Sequence, residues 1–259
     1  MHLPIDSLPP ELAGLRIIHL TDFHIRRTWF GAYDHILESI RANPPDLILL
    51  TGDYVEHRRL IAREVEHARR FLDSLEAPLG IFGIWGNHDG DFLSAQLDSK
   101  KMREIENTVV TLRSASGASV ELIGLPGVNR DDLDRQFLAN VRPRAERGLR
   151  IALAHYPDDI VRIESLHTDI MLAGHTHGGQ INLPGGFAPI THDSLPRKFA
   201  KGVHRWRNTW LIVARGIGYA GIPVRAFCSS EVVELVLQPV APTFLSVSDA
   251  GTPASDSGR

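Results

Sequence analysis

The chain has 259 residues, 43% of them in the hydrophobic set and 23% charged, with a formal net charge of −3. That is globular composition with enough apolar mass for a large core, and it lacks the basic surplus of a general duplex-DNA binder. Its one cysteine, Cys228, excludes an internal disulfide and a cysteine-built zinc site.

The first residues, MHLPIDSLPPELAGL, lack the basic start and continuous apolar segment of a signal peptide. No later run approaches the roughly 20 apolar residues that span a bilayer. The expectation is a soluble, cytoplasmic chain with at most peripheral contact at the inner membrane face.

The first buried strand is predicted over Arg16 to Leu20 (RIIHL), and it runs into Thr21-Asp22-Phe23-His24. A helix is expected from Tyr33 to Ala42, stopped by Asn43-Pro44-Pro45. Asp46 to Leu50 (DLILL) follows as a strand and leads into Thr51-Gly52-Asp53. Ile61, Val65, Ala68 and Leu72 stand at helical spacing within a second helix, Leu60 to Leu75. The third strand, Gly80 to Trp85 (GIFGIW), precedes Gly86-Asn87-His88-Asp89.

VVTLR and SVELIGL, separated by Ser-Ala-Ser-Gly-Ala, read as a hairpin within Val109 to Leu125. Arg150 to Ala154 (RIALA) ends in His155-Tyr156-Pro157, and a short helix is expected over Asp158 to Ser165. Asp169 to Ala173 (DIMLA) ends in Gly174-His175-Thr176-His177-Gly178-Gly179. TWLIVARGIG and VRAFCSSEVVELVLQ read as further strands. Residues 1–239 are expected to form a single domain, and the Pro-, Ser- and Gly-bearing stretch 240–259 a disordered tail. Strands alternating with helices give an α/β class with a largely parallel sheet, to which the hairpin and the last strands add.

Five of these strands end in Asp, Asn or His, at the edge where ligands of open α/β sheets bind. Singly, most have a bland reading. Asp22 and His24 could be a turn aspartate and a surface histidine, and Gly52-Asp53 ordinary turn chemistry. Asn87-His88-Asp89 could cap a loop, and His155 could be a satisfied strand-end histidine. His175 and His177 resist that treatment, because flanking glycines signal close backbone approach and alternate histidines chelate well. Five coincidences at one edge point to a metal site. His19 lies inside a strand and reads as core. His2, His35, His57, His67, His167, His192 and His204 carry no such context.

The blocks Asp22-x-His24, Gly52-Asp53, Gly86-Asn87-His88-Asp89, His155 and Gly174-His175-x-His177 stand in order over residues 22–177. Together they resemble the calcineurin-like metallophosphoesterase superfamily. Arg215-Gly216-Ile217-Gly218 and Ile222-Pro223-Val224-Arg225 resemble more narrowly a bacterial phosphodiesterase branch. That branch includes enzymes acting on the pyrophosphate of UDP-2,3-diacylglucosamine.

The resemblance implies a four-layer α-β-β-α sandwich of two mixed sheets flanked by helices. It also implies two divalent transition ions roughly 3.5–4 Å apart. One would be held by Asp22, His24, Asp53 and His177, the other by Asp53, Asn87, His155 and His175, with Asp53 bridging. Manganese suits this donor set first, with iron or zinc as alternatives. His88 is implied as the acid that protonates the leaving oxygen, with Asp89 holding its ring and favouring the protonated form.

Arg26 and Arg27 are candidates for further phosphate contacts, against the alternative of a solvated basic pair. Trp29 and Phe30 are read as packing in preference to substrate contacts, and with Leu3 and Leu8 they are the residues a membrane surface would meet. The implied activity is two-metal hydrolysis of a phosphodiester or pyrophosphate bond in a small-molecule or lipid-linked substrate, with no nucleic-acid partner. Alternatives are a phosphomonoesterase, including a protein phosphatase, and a non-catalytic scaffold of the same fold.

Overall fold

The computed structural model describes residues 1–57, 61–114, 117–128, 132–143 and 148–240. One six-stranded sheet contains β1 (His2–Ile5), β2 (Arg16–Leu20), β3 (Leu47–Leu50), β4 (Ile81–Gly83), β5 (Met102–Glu104) and β12 (Val233–Pro239). Its order is β1-β12-β2-β3-β4-β5; β2 to β5 run parallel and β12 is antiparallel to β2. The other holds β6 (Thr108–Arg113), β7 (Ser119–Gly124), β8 (Gly148–Leu153), β9 (Ile170–Ala173), β10 (Gly202–Trp206) and β11 (Thr209–Val213). Its order is β10-β11-β9-β8-β7-β6, parallel from β11 to β7 and antiparallel at both margins. Both sheets are therefore mixed.

The layers follow from which side chains each strand points where. In β3 all four residues are buried. Leu47 and Leu49 join the core between the sheets, where they meet Ile151, Leu153 and Leu172. Ile48 and Leu50 point the other way, onto α1 (Gly31–Ala42) through Leu37 and Ile40, and onto α2 (Ala62–Asp73) through Ala68 and Phe71. Each buried aliphatic side chain contributes roughly 2 kcal/mol, so neither face of this strand tolerates a charge. On the far side Ala152 and Met171 pack against Ile160 and Ile163, with Phe137 and Leu138 of α4 (Asp132–Asn140) alongside. A short helix, α3 (Gly90–Ser94), follows β4.

Local signals place most of these elements. Tyr33, Leu37 and Ile40 form the buried stripe of α1, and Asn43 leaves the helix with non-helical backbone (φ −141°, ψ 73°), the α region being disfavoured before Pro44. Over Asp158 to Ser165 the expected α-helix does not form. Two short 3-10 turns, Pro157–Val161 and Glu164–Leu166, stand there instead. Eight residues with β-branched Ile160, Val161 and Ile163 do not repay the cost of helix nucleation. The expected strand from Val224 is confined to Val233–Pro239, since 224–232 runs as irregular chain past the site described below. Leu60, where the second helix was expected to begin, and the tail from 241 lie outside the described residues.

Leu3 and Leu8 cannot meet a membrane surface. Both are buried, Leu3 because β1 pairs in parallel with β12 and turns it into the inter-sheet core. Trp29 packs as expected: Tyr33 and His67 flank its ring, Arg70 lies over it at 4.1 Å, and its N–H donates to Asp34. Phe30 stays exposed. No helix among the described residues is long and apolar enough to cross a membrane.

Candidate metal centre

The five strand ends identified in the sequence do converge, but they come from two sheets. Asp22 and His24 follow β2, Asp53 follows β3 and Asn87 follows β4; His155 follows β8, and His175 and His177 follow β9. Side chains from both sheets therefore close over one edge of the sandwich.

Two groups of donor atoms form there. In the first, one donor atom each from Asp22, His24, Asp53 and His177 lies within 4.8 Å of the others. His24 Nε2 is 2.9 Å from His177 Nε2 and 3.3 Å from Asp53 Oδ2, and His177 Nε2 is 3.4 Å from Asp22 Oδ1. In the second group, Asn87 Oδ1 lies 2.9 Å from His155 Nε2 and 2.8 Å from His175 Nδ1. Asp53 Oδ2 is 3.4 Å from His155 Nε2, so one carboxylate touches both groups.

The rear of each ring decides which nitrogen is free. His155 Nδ1 faces the Thr51 carbonyl at 2.8 Å, and His175 Nε2 faces the His192 carbonyl at 3.0 Å. A carbonyl only accepts, so each of those nitrogens carries a proton and the opposite nitrogen is the one that faces the site. His24 Nδ1 is held by Glu56 Oε2 at 2.7 Å. Behind His177 stands a cation instead, Arg225 Nη2 at 3.2 Å from Nδ1.

Electrostatics place one raised and one lowered histidine in each group. Burial penalises a charged His24, but Asp53 and Glu56 overcome it and raise the pKa to about 10. His155 rises to about 9 against burial through Asp53 and Asp22. Burial, with His155 nearby, lowers His175 to about 3, and burial with His24 and Arg225 puts His177 well below the histidine range. Burial also opposes the Asp53 carboxylate, yet His155 and His24 hold it well below the usual range. Buried carboxylates that draw positive charge, converging with the ring nitrogens of four histidines, are a donor set that fits divalent transition ions.

Holding these atoms together costs backbone strain. Asp22, His24, Asp53, His175 and His177 all have positive φ, between 44° and 67°. Left-handed backbone is uncommon outside glycine and clusters at functional sites. Two glycines allow the close approach: a Cβ on Gly86 would strike the Asp53 carboxylate, and one on Gly174 would strike that of Asp22.

Asp89 does not hold the His88 ring. Its buried carboxylate accepts the backbone N–H groups of Asp53, Tyr54 and Gly86, each at 2.7 Å. The ring of His88 bonds instead through Nδ1 to the Glu56 carbonyl at 2.7 Å, and burial lowers its pKa. Asp89 therefore ties the loop after β3 to the loop after β4. Asp89→Asn puts an amide donor among three N–H groups, and is expected to cost about 3 kcal/mol in urea unfolding. Activity should fall on every substrate alike, and wild-type stability would refute this role.

Arg26 and Arg27 do not reach the site. Arg26 Nη2 pairs with Glu56 at 2.9 Å and donates to the Gly221 carbonyl at 2.8 Å, and Arg27 is exposed. His19 is core, bonded to Thr51 at 2.8 Å. Sequence reasoning missed Glu56, which is buried and takes His24, Arg26 and the Gly221 N–H at once. Its place three residues after Asp53 was the available signal. Arg225 was noticed as part of a pattern but given no role.

In front of these groups lies a cavity of about 860 Å³. Asp53, Asn87, His88, His175 and His177 line it together with apolar Ile181, Pro189, Ile190 and Ile222.

Known proteins are similar to this chain over most of its length. The chain is 26% identical over 238 residues to the metallophosphoesterase YkoQ of Bacillus subtilis, covering 88% of this chain and 84% of YkoQ. It is 25% identical over 283 residues to the UDP-2,3-diacylglucosamine pyrophosphatase LpxG of Chlamydia trachomatis, covering 86% and 84%. A dimetal phosphatase from Danio rerio shares the fold with a TM-score of 0.53 at 12% identity, over 87% of this chain and 93% of that one. The pattern of the calcineurin-like phosphoesterase family matches residues 15–179, which contain all seven donor residues. The chain belongs to the calcineurin-like phosphoesterase family and is a metal-dependent phosphoesterase.

Proposed function

We propose that this phosphoesterase binds two divalent transition ions, manganese foremost, and hydrolyses a phosphodiester or pyrophosphate bond. The observation that carries the reading is the position of Asp53, whose one carboxylate stands 3.3 Å from His24 in the first donor group and 3.4 Å from His155 in the second. When bound, the ions would supply charge neutralisation on a phosphoryl group and acidify water.

The chain's own residues do the rest. Asp22, His24, Asp53 and His177 hold one ion, and Asp53, Asn87, His155 and His175 the other. Thr51, Glu56 and the His192 carbonyl fix the ring orientations from behind. His88 lines the cavity with Nδ1–H donated to the Glu56 carbonyl, so Nε2 is the nitrogen that delivers a proton to the leaving oxygen when the ring is in its imidazolium form. The apolar wall of Ile181, Pro189, Ile190 and Ile222 suits a substrate with an apolar portion, and the similarity to LpxG makes a nucleotide-sugar lipid such as UDP-2,3-diacylglucosamine the substrate to assay first.

The purified chain should turn over bis-p-nitrophenyl phosphate faster than p-nitrophenyl phosphate. Chelation should abolish the activity and Mn²⁺ should restore it. Full activity after dialysis against excess EDTA would falsify the metal mechanism, and preference for the monoester would favour a phosphomonoesterase.

A further inference from the structure

Seven of the fifteen exposed large apolar side chains among the described residues fall in two short stretches, 181–190 and 222–227. Scattered exposed hydrophobics are ordinary, whereas clustered ones mark a surface that something covers. These two stretches lie side by side. Ile181 bridges to Ala226, Asn182 N donates to the Ala226 carbonyl at 2.9 Å, and Ala226 N donates to the Gln180 carbonyl at 3.0 Å.

The cluster continues from the active-site cavity. Ile181, Ile190 and Ile222 line that cavity, and Leu183, Phe187, Val224 and Phe227 extend the apolar surface outward. Phe227 is the most exposed of them, at 67%, on left-handed backbone with φ 50°. Its neighbours hold it there: Ala226 is paired to Gln180, and the Cys228 thiol bonds to the His177 carbonyl at 3.3 Å. A bulky residue in that conformation persists only where surrounding contacts impose it.

We propose that this rim docks on an anionic lipid bilayer, so that the cavity opens at head-group level. The inference rests on the phosphoesterase reading above and names where its substrate is met.

Three features favour a bilayer as the occupant. First, the charges match. Arg197 lies over the Phe187 ring at 5.5 Å, Lys201 Nζ donates to the Gly186 carbonyl at 2.9 Å, and exposed Lys198 stands between them in sequence. Asp193 is the one acidic residue between Gly178 and Lys201, and none occurs between Arg215 and Ser230. Asp193 is occupied by the backbone N–H groups of Leu195 and Asp158. Apolar tips flanked by cations are the pattern that anionic membrane surfaces attract.

Second, backbone groups at the tips are paired within the protein. Leu183 N donates to the Phe187 carbonyl at 2.9 Å and Gly186 N to the Leu183 carbonyl at 3.0 Å. Gln180 Nε2 donates to the Ala220 and Ile222 carbonyls, each at 3.0 Å. Entry into an apolar layer leaves no water for unpaired backbone, so this pairing is a requirement for insertion. Third, the rim is continuous with the cavity that holds the donor groups, so docking there presents head-group phosphates to the site.

The test is sedimentation of the full chain with sucrose-loaded vesicles of phosphatidylcholine alone or mixed with phosphatidylglycerol. Wild type should pellet with the anionic vesicles, weakly with the neutral ones, and less as salt is raised. The L183S/F187S/F227S variant removes exposed side chains outside the cavity lining. Its vesicle partitioning should fall by roughly tenfold or more, while its turnover of soluble bis-p-nitrophenyl phosphate stays at the wild-type level. R197E/K198E should lose the preference for anionic vesicles.

The proposal is overturned if wild type pellets with neither vesicle, or if the triple variant pellets as well as wild type. It is also overturned if light scattering shows a dimer that the triple variant disrupts without any vesicle binding, since a second copy or another protein then covers the rim. Absence of soluble-diester turnover in wild type would count against the hydrolase reading alone, and absence of vesicle partitioning would count against the docking alone.

Discussion

Asp53→Asn is expected to strip the centre of both ions and lower turnover on the order of 10³-fold or more on any substrate, because loss of a single electrostatic contact in a hydrolytic site already costs about 10²–10³. The reason is geometric. Asp53 Oδ2 lies beside His24 Nε2 and beside His155 Nε2, so one side chain serves both donor groups. An amide keeps the shape but removes the negative charge that faces buried His24 and His155.

Two controls make the result specific. Asp22 touches the first group and Asn87 the second, so Asp22→Asn and Asn87→Ala should each retain one ion per chain where Asp53→Asn retains none. Metal content by elemental analysis reads this directly, and far-UV circular dichroism checks that the fold survives. An Asp53→Asn protein that still holds two ions would end the bridging assignment.

His88→Ala is expected to leave metal content intact and to slow hydrolysis roughly 10²–10⁴-fold for esters with poor leaving groups. His88 is in the cavity and close to both groups, yet its ring is tied to the Glu56 carbonyl through Nδ1 and its backbone N–H donates to Asp53 Oδ1 at 2.8 Å. Removing the ring deletes a proton donor and keeps the backbone contact. The loss should therefore shrink on p-nitrophenyl esters, whose leaving oxygen hardly needs a proton. Substitutions at the donor groups should instead lose both substrate types equally. Equal losses for His88→Ala on activated and unactivated esters, with both ions bound, would remove it from the acid role and leave it a phosphate-binding residue.

Much of the fold and the centre is legible in the amino-acid sequence. Runs such as DLILL and DIMLA are short, aliphatic and bounded by turn residues, and β3 and β9 form where those runs stand. The donor types were legible for the same reason: they sit within a few residues of the strand ends, so the strand itself delivers them. Gly174 marked close approach, and it does back onto the Asp22 carboxylate.

Strand length, the helix stop at Pro44 and the residue types that follow each strand are local properties, set by steric and hydrophobic rules acting over a few positions. Tertiary structure decided everything that depends on residues far apart in the chain. Asp89 follows His88 directly but spends its carboxylate on backbone 35 and 36 residues earlier, because a buried charge must take whatever donors surround it. Which sheet each strand joined, the pairing of His24 with Glu56 across 32 residues, and the meeting of His177 with His24 across 153 were likewise beyond local reading. The apolar rim was equally hidden, since Ile190 and Phe227 differ from core residues of the same type only in what packs over them.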